Sequence, residues 1–254
     1  MHLPEWQTIY AILPWLALAV AAFILLFFVN APYGRYSQKN TGMGINGGLA
    51  WLIMESPSPL IIASFFIFTS QTINITQLIF LFMWESHYIH RTFIYPFTMR
   101  HSRRPFPILI VIFGFFFNVV NAYLNGNSIF THQALYTTGW LSDIRFVIGV
   151  SLFILGYITN RHSDWVLYKI RGKNDDRYNV PNGGLFRWVS CPNYLGEITL
   201  WIGWAIATWS LAGLAFAIWT VANLAPRAVA HHKWYLDNFE NYPLDRHALI
   251  PGIW

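Results

Sequence analysis

Charge is what this sequence has least of. Only 11% of its 254 residues are Asp, Glu, Lys or Arg, against about 25% in ordinary soluble domains. A chain this poor in charge and 55% hydrophobic is suited to lipid as its main solvent. Cysteine is nearly absent too. With Cys191 alone no intramolecular disulfide can form, and a small buried thiol is the ordinary reading. The first residues lack a basic stretch and a small-residue cleavage site, so their long apolar run reads as a retained span, not a removed signal. No internal repeat is present. The net charge of +5 does not imply nucleic acid, because the basic residues lie in short connections and form no soluble basic domain.

Two motif-like features carry little. Gly42-Met43-Gly44-Ile45-Asn46-Gly47 has the letters of a dinucleotide fingerprint, but that fingerprint needs a preceding strand and an acid about 20 residues on. Here a span precedes it and Glu55 follows too soon, so a glycine-rich loop is expected. Nine histidines suggest metal, yet only His87/His90 and His231/His232 are close in sequence and no HExxH occurs. A membrane di-iron centre needs several facing clusters, so no metal is expected.

What is present is a series of apolar segments near the 20 residues that cross a bilayer. They are Trp6–Val29, Leu49–Thr69, Ile73–Phe97, Phe106–Leu124, Ile144–Asn160, Tyr194–Trp209 and Leu211–Ala225. Only Ser210 separates the last two, which predicts a tight helical hairpin. Lys and Arg fall in the odd connections and the tail, as Arg35 and Lys39, Arg100, Arg103 and Arg104, then Arg161 to Arg187, then Arg227, Lys233 and Arg246; the even connections have none apart from Arg145 at a span edge. By the positive-inside rule the sequence predicts one all-α domain over 1–254 with seven spans, the N-terminus outside and the C-terminus cytoplasmic.

Acids inside spans are costly and mark function. Glu55 precedes Ser56-Pro57-Ser58-Pro59, whose prolines remove backbone donors, so it is expected to face an internal pocket. Glu85, Tyr88 and Arg91 share a face of the third span. A buried Tyr88 hydroxyl near a carboxylate can donate to a substrate carbonyl. Farther on, Asn160, Asp164 and Arg171 form one face; Asn193, Glu197 and Trp201 form a second; Arg227, His231 and Tyr235 form a third. All three are expected at cytoplasmic helix ends, where Arg171, Arg227 and Arg103 or Arg104 can grip phosphate. This pattern suggests a phosphate-bearing soluble ligand and a lipid-soluble one near Glu55 and Tyr88. Spacing leaves hydride and methyl transfer open.

Longer motifs go further. The run Tyr178-Asn179-Val180-Pro181-Asn182-Gly183-Gly184-Leu185-Phe186, then Pro192-Asn193-Tyr194-Leu195-Gly196-Glu197, His87-Tyr88-Ile89-His90-Arg91-Thr92, His162-Ser163-Asp164 and Ala248-Leu249-Ile250-Pro251 resemble the steroid 5-alpha-reductase family, the type 2 members most. The resemblance covers the chain from about Trp51 onward. It implies a seven-helix enzyme that reduces the C4–C5 double bond of 3-oxo-Δ4 steroids with NADPH. Glu55 and Tyr88 then engage the C3 carbonyl. Arg104, Asn160, Asp164, Arg171, Tyr178, Asn193, Glu197, Arg227, His231 and Tyr235 match cofactor positions, and Trp51, Phe117, Trp201 and Phe216 match the steroid channel. The N-terminal half becomes the steroid side and residues from about 144 to 254 the cofactor side. Glu85 has no counterpart and is left a local role.

Departures are Met54 for a glutamine, Phe113 for an arginine, and Asn179 where a basic residue is usual. The resemblance implies a steroid and the lipid membrane as partners, with no obligate protein partner. It implies the endoplasmic reticulum in a eukaryote and the cytoplasmic membrane in a bacterium. A membrane methyltransferase using S-adenosylmethionine is disfavoured, since that cofactor carries no phosphate for the arginines. A reductase of another lipid enone is the nearer alternative, and a non-catalytic sterol binder leaves the acid–tyrosine pair unexplained.

Overall fold

The computed structural model describes residues 5–29, 36, 43–69, 74–98, 105–131, 133–170 and 178–254. Its helices are α1 (Glu5–Phe28), α2 (Gly47–Glu55), α3 (Pro57–Thr69), α4 (Ile75–Ile89), α5 (Tyr95–Thr98), α6 (Ile108–Phe130), α7 (Ile144–Lys169), α8 (Pro192–Thr208) and α9 (Leu211–Asn238). The all-α expectation holds, with one small addition: strands β1 (Gly44–Asn46) and β2 (Pro105–Pro107) pair antiparallel. Among the described residues four helical stretches are long and apolar enough to cross a membrane: Gly47–Thr69, Ile108–Phe130, Ile144–Lys169 and Leu211–Asn238. The chain divides into two compact units, one essentially Ala31–Val147 and the other Leu3–Asn30 with Ile148–Trp254.

In the first unit, the glycine-rich stretch expected to be a loop is structured from Gly44 on. It forms β1, and Asn46 caps α2 by accepting from the Gly48 and Leu49 amides at 2.9 and 3.2 Å. A side-chain oxygen at that position satisfies orphan donors of the first turn. Between α2 and α3, Ser56 keeps helical angles, φ −58 and ψ −32, so the prolines interrupt the hydrogen-bond ladder without unwinding the chain. Pro57 cannot donate to the Ile53 carbonyl; the Ser56 hydroxyl does so at 3.1 Å. Asn118 of α6 donates to the Met54 carbonyl at 2.8 Å and accepts from the Ser58 hydroxyl at 2.7 Å. One asparagine thus seams the break.

The third expected span is α4, a π-turn over His90–Ile94 and α5, with the Tyr95 amide reaching back five residues to the His90 carbonyl. Such wide turns gather at functional sites, and this one contains Arg91. The fourth helix outruns its expected end at Leu124 by six residues. Its polar tail is bonded internally, Asn125 Nδ2 donating to the Asn121 carbonyl at 3.0 Å. Its last carbonyls, orphaned in any helix, accept from Gln77 at Ile129 (3.0 Å) and from Thr69 at Phe130 (3.3 Å).

The second unit is welded by glycine. A Cβ on Gly156 would lie 2.3 Å from the Leu200 amide nitrogen, and one on Gly196 would lie 2.4 Å from that of Asn160. Gly149 and Gly203 repeat the arrangement two turns away, with approaches of 2.2 Å to Ala207 and 2.4 Å to Phe153. Small residues on both faces allow α7 and α8 to pack backbone to backbone, as helices in lipid commonly do. Helix α7 runs to Lys169, past the expected end at Asn160, because Ser163 bonds the Thr159 carbonyl at 2.7 Å. The predicted hairpin is present: α8 ends in left-handed Trp209 (φ 47), and Ser210 caps α9 by accepting from the Gly213 amide at 3.0 Å. Helix α1 packs on α9, where Trp219 donates to the Trp15 carbonyl at 2.9 Å. The C-terminal tail lies beside the start of α8, with Ser190 and Cys191 amides bonded to the His247 and Ala248 carbonyls.

Candidate active site

In the first unit Glu55 is the last residue of α2, and Arg91 meets it with Nη2 3.5 Å from Oε1. The two side chains are only 14% and 19% exposed. The guanidinium also lies over the rings of Trp51 at 4.9 Å and Tyr95 at 4.6 Å. A planar, weakly hydrated cation favours that setting. The contact to Glu55 is long beside the roughly 2.8 Å of a tight charge-assisted bond, so Arg91 is oriented as much by the rings as by the carboxylate.

Tyr88 is 4% exposed and stacks on Trp84 at 5.0 Å. Trp84, fully buried, donates to the Ser58 carbonyl at 3.3 Å. The proline segment next to Glu55 therefore also fixes the ring that fixes Tyr88. Trp51 Nε1 and Glu85 Oε1 are buried without a hydrogen-bond partner among the described residues. Phe117 is half-buried on α6, directly before Asn118.

In the second unit α7 and α8 bring Asn160 against Asn193 and Glu197. Asn160 Nδ2 donates to the Asn193 carbonyl at 3.0 Å and to Glu197 Oε2 at 2.8 Å. Trp201 Nε1 donates to the other oxygen of Glu197 at 3.2 Å. The Trp201 ring packs against Phe216 of α9 at 4.1 Å and edge-on to Phe153 at 6.3 Å. Beside Asn193, the Tyr194 hydroxyl lies 3.1 Å from His231 Nε2, and the Arg227 guanidinium stands over the Tyr194 ring at 5.4 Å. Asp164 follows one turn after Asn160 and is half-buried.

A third group is aromatic. Tyr178 meets Trp234 at 5.1 Å, Trp234 meets Tyr235 at 5.4 Å, and Tyr235 stacks on Tyr242 at 5.2 Å. Ser190 ties this group to the tail, its hydroxyl 2.6 Å from both His232 Nδ1 and the Tyr242 hydroxyl. Burial pushes the Tyr242 hydroxyl above its ordinary pKa. Buried Arg246 holds the Pro181 carbonyl at 2.9 Å and the Asn182 side chain.

Of the residues singled out from sequence, Asn160, Asn193, Glu197, Trp201 and Phe216 converge, as do Arg227 and His231 around Tyr194. Arg104 and Arg171 lie outside the described residues, as do Arg103, Arg177 and most of the Gly34–Gly48 connection. Sequence reasoning names Arg91 without giving it a role and passes over Tyr194, Trp84 and Asn118. Tyr194 stands inside the Pro192–Glu197 run and was within reach. Trp84 and Asn118 act through contacts 26 and 64 residues apart, which leave no local mark.

The chain is similar to known proteins over most of its length. The profile of a family described as 3-oxo-5-alpha-steroid 4-dehydrogenase matches residues 104–254. The chain is 40% identical over 237 residues to steroid 5-alpha-reductase DET2 of Arabidopsis thaliana, spanning 91% of this chain and 90% of that one. It is 42% identical over 242 residues to 3-oxo-5-alpha-steroid 4-dehydrogenase 2 of Sus scrofa, spanning 92% of each. With 3-oxo-5-alpha-steroid 4-dehydrogenase 1 of Bos taurus it shares 38% over 241 residues, 93% of each.

Proposed function

Because the chain belongs to the 3-oxo-5-alpha-steroid 4-dehydrogenase family, we propose that it is a membrane oxidoreductase reducing the C4–C5 double bond of 3-oxo-Δ4 steroids with NADPH. The observation that carries the reading is 40–42% identity along nine-tenths of the chain with proteins named for this activity. The site residues carry the chemistry it needs.

Tyr88 donates a hydrogen bond to the C3 carbonyl of the substrate. That bond strengthens as electron density moves onto the oxygen, which is how a fixed donor lowers a barrier in a site shielded from water. Glu55 is assigned to the same carbonyl beside Tyr88, and Arg91 sets a positive charge beside Glu55. Trp51 and Phe117 in the first unit are assigned to the apolar sterol ring system, and so, in the second unit, are Trp201 and Phe216. Withdrawing density through the carbonyl leaves C5 electron-poor, and C4 then takes a proton, so the double bond gains two hydrogens in all.

The donor set in the second unit suits a ligand bearing a carboxamide, ribose hydroxyls and phosphates. Asn160, Asn193 and Glu197 present an amide, a carbonyl and a carboxylate in one cluster. Tyr194 and His231 add a hydroxyl and an imidazole, and Arg227 a guanidinium. Asp164, Tyr178 and Tyr235 complete this set, with Arg104 and Arg171 assigned to phosphate. When bound, NADPH supplies the hydride that reaches C5. Residues from about 144 to 254 thus serve the cofactor and the N-terminal half serves the steroid, in one seven-span domain. Four long apolar helices support a membrane-spanning fold, and the alternation of Lys and Arg along the sequence is the ground for seven spans with the N-terminus outside and the C-terminus cytoplasmic. The host membrane is the endoplasmic reticulum in a eukaryote or the cytoplasmic membrane in a bacterium.

The test is NADPH oxidation by the purified chain in lipid with testosterone or progesterone, with the product identified. A 5α-dihydro steroid formed in step with NADPH loss is expected. No NADPH loss with any 3-oxo-Δ4 steroid, or methyl transfer from S-adenosylmethionine, would overturn the reading.

A further inference from the structure

The far end of α7 carries a second feature, turned away from the cofactor cluster. At about 100° per residue, Ile158 and His162 stand about 160–200° around the helix from Asn160. On their side lies a cleft of about 340 Å³ between α7 and the turn Gly184–Arg187. Ile158, Leu185 and Trp188 form its apolar walls, and Arg187 and His162 its polar rim. Among the described residues no acidic side chain lines it. Gly184, at φ +52, lets the His162 ring lie against the turn, since a Cβ there would come within 2.5 Å of the ring.

Its position along α7 is informative. Helix α7 exposes Ile154, Leu155 and Ile158, and then changes character: Trp165 and Tyr168 are exposed and Lys169 Nζ sits 3.7 Å from the Trp165 ring centre. Arg187 stands over Trp188 at 5.8 Å beside the same cleft. At the opposite end of α7, Arg145 stands over Trp140 at 4.5 Å. From Ile144 to His162 the helix rises about 27 Å, close to the roughly 30 Å of a hydrocarbon core. Aromatic and basic residues gather where lipid meets water, so α7 carries such a girdle at each end and the cleft opens at headgroup depth.

We propose that this cleft is a binding site for an anionic phospholipid. Arg187 takes the phosphate, the His162 ring N–H assists, and the glycerol and first acyl carbons rest on Ile158, Leu185 and Trp188. Positive charge at the rim from Arg187, with no acid in the lining among the described residues, favours an acidic headgroup over a zwitterionic one. The site rests on the reading that α7 crosses a bilayer, and it lies outside the catalytic and cofactor machinery.

Native mass spectrometry of the full chain, released from nanodiscs of phosphatidylglycerol and phosphatidylcholine, tests it. One phosphatidylglycerol should be retained in preference to phosphatidylcholine. Arg187→Ala should lower that retention roughly fivefold, as expected for one basic residue near an anionic surface. Leu185→Glu should abolish it, and Arg187→Lys should restore part of it. NADPH affinity and melting temperature should stay unchanged in Arg187→Ala. Equal retention of both lipids, retention unaffected by Arg187→Ala and Leu185→Glu, or displacement by millimolar inorganic phosphate would each overturn the lipid site while leaving the spanning reading intact. A chain that enters no bilayer would overturn that reading and the site together.

Discussion

Each unit holds a carboxylate away from water, and the two are held differently. Glu197 is gripped by neutral donors on both oxygens, Asn160 at 2.8 Å and Trp201 at 3.2 Å. Glu55 faces a cation at 3.5 Å whose own orientation is set by Trp51 and Tyr95. Neutral hydrogen bonds are steeply directional and weaken quickly off line, so Glu197 is a fixed template. Attraction between opposite charges falls off slowly with distance, so Glu55 keeps its partner through small rotations. Fixity suits recognition of a cofactor with many groups, and latitude suits a residue whose neighbour changes its hydrogen bonding during reaction.

The sharpest way to probe this contrast is at the reacting end. Tyr88→Phe should cut turnover roughly 10²–10³-fold, the usual loss for one oxyanion donor, with NADPH affinity unchanged by fluorescence titration; wild-type-like turnover would end the assignment. Next comes the frame of the fixed carboxylate. Gly156→Leu should destabilise the protein by about 3 kcal/mol, read as a fall in thermal midpoint, because its side chain meets backbone atoms of α8.

Asn160→Ala removes one donor from a buried acceptor, at about 1–3 kcal/mol. It should raise the apparent KM for NADPH by tenfold or more while leaving steroid KM near wild type. Arg91→Lys keeps charge but loses the planar stack, so a fall in kcat of only about three- to tenfold is expected. If Arg91→Lys proves as damaging to kcat as Tyr88→Phe, Glu55 is not loosely held and the contrast fails.

The smallest effect concerns acid stability. Asp143 accepts from the Arg145 side chain at 2.9 and 2.7 Å and from its amide at 2.9 Å, which lower its pKa from 3.8 to about 2. A lowered folded-state pKa gives stability that is complete above the ordinary value and lost as pH falls through about 2. Asp143→Asn should flatten the melting profile between pH 4 and 2, with a slightly lower midpoint than wild type at pH 7 and the same midpoint near pH 2.

Helix positions were readable where the pattern is local. The break at Ser210 follows from a capping residue between two apolar runs, and α1 was expected within one residue of its observed bounds. Helix ends at Leu124 and Asn160 were misplaced because asparagine and serine look like stops until their side chains are seen bonding the preceding turn. The faces carrying Asn160, Glu197 and His231 were legible from four-residue spacing. Paired glycines seven apart, 149 with 156 and 196 with 203, were also there to be read. The seating of Arg91 on Trp51 and Tyr95 was not, since a cation over a ring imposes no spacing on the residues that form it.

The pairing of α1 with α9 also bears on how the chain is made. The Trp219 indole and the Trp15 carbonyl are 204 residues apart in sequence, so α1 leaves the ribosome long before α9, its partner, exists. Closing so long a loop adds entropy cost only slowly with length, but it dictates order: the Ala31–Val147 unit can finish while synthesis continues, and the other unit cannot. A nascent chain stalled within α8, with Val147 clear of the ribosome and α9 not yet made, should therefore protect Tyr88 from labelling while leaving α1 without its seat.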